Sequence, residues 1–325
     1  MGKNVALALS SGGPRGFAYI GAIEELQGRG YTITSVSGAS AGSLIGGIFA
    51  AGGMQAFKEW IEALDPLQVM TLMDVSISKN YLVKGEKIID AIRERVPEVN
   101  IEDLPIPFAA VATDLHTGEE IVFRSGPLFT AIRASISIPS MFRPVKWQGR
   151  TLVDGGMANT LPLNRAKRTP GDILIGFNVN EIDATQVRGY LNSLATLEAN
   201  EEALKIQTRQ ALTERPSAQA AANLKRVLTE RIDSIKREKK LLEAGKENYI
   251  PLDADDNYLT VLRRSFGLMN HTIARQGIEL CPPDILVNMA FDSYHGVYGY
   301  THATEIIEKG RTLMREALDK YEGRG

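Results

Sequence analysis

The pentapeptide Gly38-Ala39-Ser40-Ala41-Gly42 constrains this chain more than any other feature, because it joins a strand-like run, Thr32–Ser37, to a helix-like run with many small residues. Small flanking residues let a serine sit on a sharp strand-to-helix turn, where larger neighbours would clash. Upstream, Val5–Leu9 is a continuous apolar run of the kind a strand buried on both faces requires. Phe17, Ile20, Ile23 and Leu26 then recur at helical spacing, and Gly28 and Gly30 end that helix. The expected result is a βαβ unit with Ser40 at the end of its second strand.

Two further motifs supply what a nucleophilic serine needs. In Ser11-Gly12-Gly13-Pro14-Arg15-Gly16, directly after the first strand, Gly12, Gly13 and Arg15 can offer backbone N–H groups to an oxyanion, whereas Pro14 has none. The helix that opens there adds the positive end of its dipole. Much later, Asp154-Gly155-Gly156 offers a carboxylate that can take the Ser40 proton. An ordinary aspartate, with a pKa of about 3.9, is a weak base, so burial that raises its pKa and strong oxyanion stabilisation are both expected. The guanidinium of Arg15 is read as a solvated group at a helix start, and its N–H as the useful part.

The order of the motifs separates this chain from the α/β-hydrolases, in which the elbow follows several strands and a His completes the triad. It resembles the patatin-like phospholipase family, whose members pair a loop of the form GGGxRG with a GxSxG elbow and a distant DGG or DGA. Ala131–Val145 resembles the family's Ala-Ser-x-x-x-Pro segment, Asn159 and Pro162 fit its continuation, and Thr304–Gly310 is a weaker echo near the end. The likeness covers roughly residues 4–180, with one departure: Ser11 stands where the family loop usually has Gly. The resemblance implies an α/β fold with a mixed, largely parallel central sheet flanked by helices in three layers. It also implies a Ser40–Asp154 dyad acting without His, with Gly12, Gly13 and Arg15 as oxyanion donors and Gly38 and Gly42 shaping the elbow. The activity it implies is hydrolysis of fatty-acyl esters of phospholipids or lysophospholipids through an acyl-enzyme. Two alternatives stay open: acyl transfer to an acceptor other than water, and a silent lipid-binding protein.

Other chemistries fit less well. A dinucleotide fingerprint would need Gly at position 11, and no acidic partner for a ribose is evident. Among the four histidines, His116 falls in a turn, His271 in a helix, and His295 and His302 beside Tyr294, Tyr298 and Tyr300, which suggest packing or pocket lining. No spacing suited to metal ligands occurs, so neither a metal nor another cofactor is expected. A net charge of −2 argues against nucleic acid as a partner. The lone Cys281 excludes an internal disulfide and reads as a small buried hydrophobe. With a strand starting at Val5 and no leader evident, a cytoplasmic protein is expected, with peripheral contact at the inner membrane surface as a further option and homo-oligomerisation left open.

Strand-like runs continue at Pro107–Asp114, Glu120–Arg124, Ile173–Val179 and Ile285–Met289. Between them, residues 185–249 lack such runs and read as a helical hairpin broken at Arg215-Pro216, with Ser217 starting the second helix. Residues 1–180 plus 257–325 are therefore expected to form the catalytic domain, and 185–249 an insertion that could act as a lid. Leu224, Leu228, Ile232 and Ile235 form an apolar stripe on its second helix. Residues 223–246 hold eight Lys/Arg against four Asp/Glu, read as a water-facing helix in preference to a membrane-surface one.

Overall fold

Along β1 (Asn4–Leu9) alternate side chains point to opposite faces, and Val5 to Leu9 are all fully buried, so both faces of this strand must be covered. Val5, Leu7 and Leu9 belong to a large core, while Ala6 and Ala8 join a smaller cluster with Leu161, Leu163, Leu174 and Ala274. Small residues on the second face allow close packing there. The computed structural model describes residues 3–72, 86–139, 141–213, 217–244, 258–291, 294 and 299–323.

Helix α1 (Ala18–Gly28) returns the chain to β2 (Thr32–Ala39), which pairs in parallel with β1 and ends at the elbow. There follow α2 (Ala41–Ala50), α3 (Met54–Glu62), α4 (Pro66–Leu72) and α5 (Glu86–Arg93), then β3 (Phe108–Asp114), parallel to β2. Antiparallel β4 (Glu120–Phe123) pairs with β3, and α6 (Leu128–Ser135) leads to the hairpin of β5 (Val145–Trp147) and β6 (Arg150–Asp154). The sheet runs β5-β6-β3-β2-β1-β7-β8, with β7 (Ile173–Glu181) and β8 (Ile285–Ala290) parallel to β1. The fold is thus the expected one, a mixed and mostly parallel sheet between helical layers. Helices α1, α2 and α6 supply buried residues to the large core, and α9 (Tyr258–Leu280) supplies Ala274 to the smaller cluster. The last helix, α10 (Ala303–Tyr321), packs on α1.

The hairpin of β5 and β6 is not evident in the sequence. Its first strand is only three residues long, and its turn is Gln148-Gly149, both at positive φ (46° and 79°). That geometry normally draws Asn-Gly, so the usual signal is muted.

By contacts the chain divides into Met1–Glu181 with Leu252–Gly325, and Ile182–Pro251. The second unit is a hairpin of α7 (Ala184–Thr213) and α8 (Ala218–Ala244), which pack on each other. Glu201 of α7 bonds Lys205 at 2.8 Å and Lys239 of α8 at 3.0 Å. The Ser217 hydroxyl accepts the Ala220 N–H at 3.3 Å, as an N-cap does. The expected break at Arg215-Pro216 and the Leu224 side chain lie outside the described residues. Among those described, no helix is long and apolar enough to cross a membrane.

Candidate active site

The elbow is strained in the way its glycines anticipate. Ser40 has φ 52° and ψ −120°, a conformation costly for a residue with a side chain. Its carbonyl accepts the N–H groups of Ser43 and Leu44 at 2.9 and 3.0 Å, so α2 starts at once. A Cβ on Gly38 would stand 2.3 Å from the Gly42 carbonyl carbon, and one on Gly42 would stand 2.2 Å from the Leu9 carbonyl oxygen. Any larger residue would therefore push the turn away from β1. Ser135, at the end of α6, fixes the elbow from the other side: its hydroxyl accepts the Ser40 N–H at 2.8 Å and donates to the Val111 carbonyl at 2.5 Å. This serine is part of the Ala-Ser-x-x-x-Pro segment, to which the sequence alone assigned no role.

Asp154 ends β6, opposite Ala112 of β3. Its N–H donates to the Ser137 carbonyl at 2.9 Å, its carbonyl accepts the Thr113 hydroxyl at 2.8 Å, and its Oδ1 accepts the Gly156 N–H at 2.8 Å. Its Oδ2 is buried and accepts no bond of ordinary geometry. Burial pushes this carboxyl up to about 6, against smaller downward pulls from the Ser40 hydroxyl and the Gly156 N–H. The Ser40 hydroxyl is thus among the groups that influence this carboxyl.

The glycine-rich loop follows β1 between its two parallel neighbours, β2 and β7, at the carboxyl ends of the strands. This is the switch point where open α/β sheets place their ligands. Gly13 has φ +58° and opens a 3-10 helix (Gly13–Phe17), whose first N–H groups have no partner within the helix. Of the three expected donors, Gly13 lines the same cavity as Ser40, and Gly12 and Arg15 flank it in the loop. The guanidinium of Arg15 is not solvated as the sequence suggested. Arg15 is buried, donates from Nε to the Val179 carbonyl at 2.9 Å and lies 5.1 Å from the centre of the Phe291 ring. It ties the loop to the end of β7, a contact between residues 164 positions apart that local pattern does not reveal.

The loop entrance is held by polar groups the sequence did not single out. Asn180 donates to the Ser11 carbonyl at 2.7 Å, the Thr160 carbonyl accepts the Ser11 N–H at 2.9 Å, and the Asn180 carbonyl is bonded by His271 Nδ1 at 2.9 Å. Ser11 itself, where the resembled family has Gly, is buried with an unpartnered hydroxyl facing Gly156. Tyr300 lines the site, and its hydroxyl lies 3.8 Å from where a Gly13 Cβ would be. Burial raises its pKa to about 12, opposed by Arg15, while the Asp154 charge adds to the rise.

None of the described histidines bonds Ser40 or Asp154. His116 is exposed and bonds Thr151, His271 bonds the Asn180 carbonyl, and His302, at the N-cap position of α10, bonds the Thr301 hydroxyl. His295 and Tyr298 lie outside the described residues. No cluster of His, Cys, Asp or Glu suited to a metal occurs among the described residues.

Ser40, Gly13 and Tyr300 share a cavity of about 100 Å³ whose remaining wall is apolar, including Leu44, Phe57, Trp60, Ile88 and Phe142. Chemically, the arrangement joins a strained serine, a buried carboxylate poised near neutrality, N–H donors at a helix start and a hydrocarbon-lined space.

A family model described as patatin-like phospholipase matches residues 7–167. An uncharacterized NTE family protein of Mycobacterium tuberculosis is 35% identical over 335 residues, spanning 98% of this chain and 92% of its own. Patatin-like phospholipase domain-containing protein 6 of Mus musculus is 28% identical over 201 residues, which is 60% of this chain and 15% of that protein. Among solved structures, VipD from Legionella pneumophila aligns over 98% of this chain and 67% of its own, with a TM-score of 0.44 and 14% identity.

Proposed function

The chain belongs to the patatin-like phospholipase family, and on that premise we propose that it is a serine lipid acyl hydrolase working through an acyl-enzyme on Ser40. The observation that carries this reading is the unpartnered, buried Asp154 Oδ2 beside the Ser40 hydroxyl. A carboxylate near pKa 6 is a far better proton acceptor than an ordinary aspartate, yet is still mostly ionised at neutral pH.

In the proposed reaction Ser40 Oγ attacks the ester carbonyl as its proton passes to Asp154. The tetrahedral oxyanion is held by the N–H groups of Gly12, Gly13 and Arg15. Collapse breaks the bond to the alcohol, which leaves with the proton from Asp154. Water, deprotonated by the same carboxylate, then attacks the acyl carbonyl and releases the fatty acid and free Ser40. The apolar cavity beside Ser40 suits the hydrocarbon of an acyl chain, which supports a fatty-acyl ester of a phospholipid or lysophospholipid over a small polar ester.

The test is incubation of wild-type and Ser40→Ala protein with a mixed lipid extract, with products read by mass spectrometry. Free fatty acid and the matching deacylated lipid should appear with wild type alone. A transferred acyl group without free acid would instead indicate an acyltransferase, and identical lipid profiles for the two proteins would indicate a binding protein with a silent site.

A further inference from the structure

Tyr300 reaches the reacting groups from a part of the chain that none of the catalytic motifs covers. It lies just before α10, and that helix is seated tightly on α1. A Cβ on Gly21 would collide with the Ile307 carbonyl, and one on Gly310 would collide with the Ala18 carbonyl, so the two glycines let the helix backbones touch. The same closeness continues to the glycine-rich loop, where a Cβ on Gly299 would stand 2.6 Å from Pro14 Cγ. Tyr300 is therefore held beside the loop by backbone packing. Its ring meets Phe17 edge-on, with ring centres 5.8 Å apart.

The hydroxyl of Tyr300 stands 3.8 Å from where a Gly13 Cβ would be, and Tyr300, Gly13 and Ser40 line one cavity. Ser40 and Tyr300 carry the only side-chain oxygens among the described residues that line it. Among the described residues nothing hydrogen-bonds the Tyr300 hydroxyl, although a phenol in an apolar setting usually has a partner. Burial and the Asp154 charge push its pKa up to about 12 against the pull of Arg15, so the phenol keeps its proton at neutral pH and can donate.

The reaction itself indicates what this donor meets. Charge develops on the former carbonyl oxygen, and a fixed donor in a water-poor site is strongest against such a charged acceptor. The leaving alcohol takes its proton from Asp154, which leaves the oxyanion as the acceptor for Tyr300. The loop is also one donor short, because Pro14 has no N–H, and Pro14 is the residue on which Gly299 packs.

We propose that Tyr300 is a further oxyanion donor, its hydroxyl bonding the tetrahedral oxyanion formed on Ser40 alongside the N–H of Gly13. The inference rests on the hydrolase reading above. The phenol gives up no proton in the step. Its hydrogen bond strengthens as the carbonyl oxygen becomes charged, so it acts on kcat more than on substrate binding.

The experiment compares wild type with Tyr300→Phe, which keeps the ring against Phe17 and removes one oxygen. On a short soluble ester, p-nitrophenyl butyrate, kcat should fall about 100-fold with KM little changed. Labelling of Ser40 by an alkyl phosphonate should slow by a similar factor, because the phosphonyl oxygen takes the place of the oxyanion. Thermal unfolding should be the same for both proteins. Unchanged kcat and labelling overturn the proposal. So does a loss confined to KM, which would make the hydroxyl a contact to the uncharged ester. A loss that disappears at higher pH overturns it as well, since the hydroxyl would then act on Asp154. If wild type neither hydrolyses the ester through Ser40 nor takes up the phosphonate there, the hydrolase reading fails and the donor with it. If wild type does both and Tyr300→Phe matches it, the donor alone fails.

Discussion

Asp154→Asn should make the protein more stable while nearly abolishing its activity. In the folded chain, burial holds the carboxyl at about 6 against an ordinary 3.8. That difference corresponds to about 3 kcal/mol set against the ionised form in the native state. Because the native state binds this proton more tightly than the unfolded chain, the contribution to stability is greatest below about pH 4. It falls as pH rises from about 4 to about 6, and the full cost is present at pH 8. Asn keeps an oxygen for the Gly156 N–H, now at 2.8 Å from Oδ1, and its amide can donate towards the Ser40 hydroxyl from the place of the unpartnered Oδ2. The variant should therefore gain about 1–3 kcal/mol at pH 8, a rise of several degrees in Tm, and the gain should vanish near pH 4. Turnover should fall by a factor of about 100 to 10,000, the usual worth of a general base. In wild type, kcat/KM should drop about tenfold between pH 7 and pH 5, following one group titrating near 6. The measurements are thermal unfolding by circular dichroism at pH 8, 6 and 4.5, and ester hydrolysis across the same range. A variant less stable at pH 8, or a gain that does not depend on pH, would show that Asp154 is not a buried carboxylate held against ionisation.

Ser135→Ala leaves the Ser40 N–H and the Val111 carbonyl without their buried partner, so it should cost about 1–3 kcal/mol and slow turnover roughly tenfold, seen as a lower Tm and a lower kcat with KM little changed. Replacing Leu228 and Ile232 of α8 by Gln should weaken hydrolysis of long-chain lipid vesicles much more than that of a short soluble ester if the hairpin controls lipid entry, and an equal loss on both substrates would remove that role. Treatment with a chelator should leave turnover unchanged, and recovery by added calcium after chelation would contradict a site built from Ser40, Asp154 and hydrogen-bond donors alone.

The parts of the site written in short motifs were legible in the sequence because their chemistry is local. Gly38 and Gly42 must be small for the turn around Ser40 to pack on β1, and that need shows in the pentapeptide itself. The parallel strands were legible from their apolar runs, as in Val5–Leu9. What was not legible depends on residues distant in the chain. Arg15 reads as a surface cation until β7 brings the Val179 carbonyl to it, and Ser135 gains its role only when α6 lies against the elbow. Asn180 reaches the loop from the end of β7, and Tyr300 from beyond the hairpin insertion in sequence. The hairpin of β5 and β6 was hidden by its short strands and by Gln148 at a position of positive φ.

The central claim is that Ser40 forms the covalent bond. An active-site-directed phosphonate bearing a long alkyl chain should add one adduct to the wild-type protein by intact mass spectrometry, and peptide mapping should place it on Ser40. Ser40→Ala should take up none. Asp154→Asn should be labelled much more slowly, because its hydroxyl has lost its proton acceptor. An adduct on another residue, or one that persists in Ser40→Ala, would contradict the account.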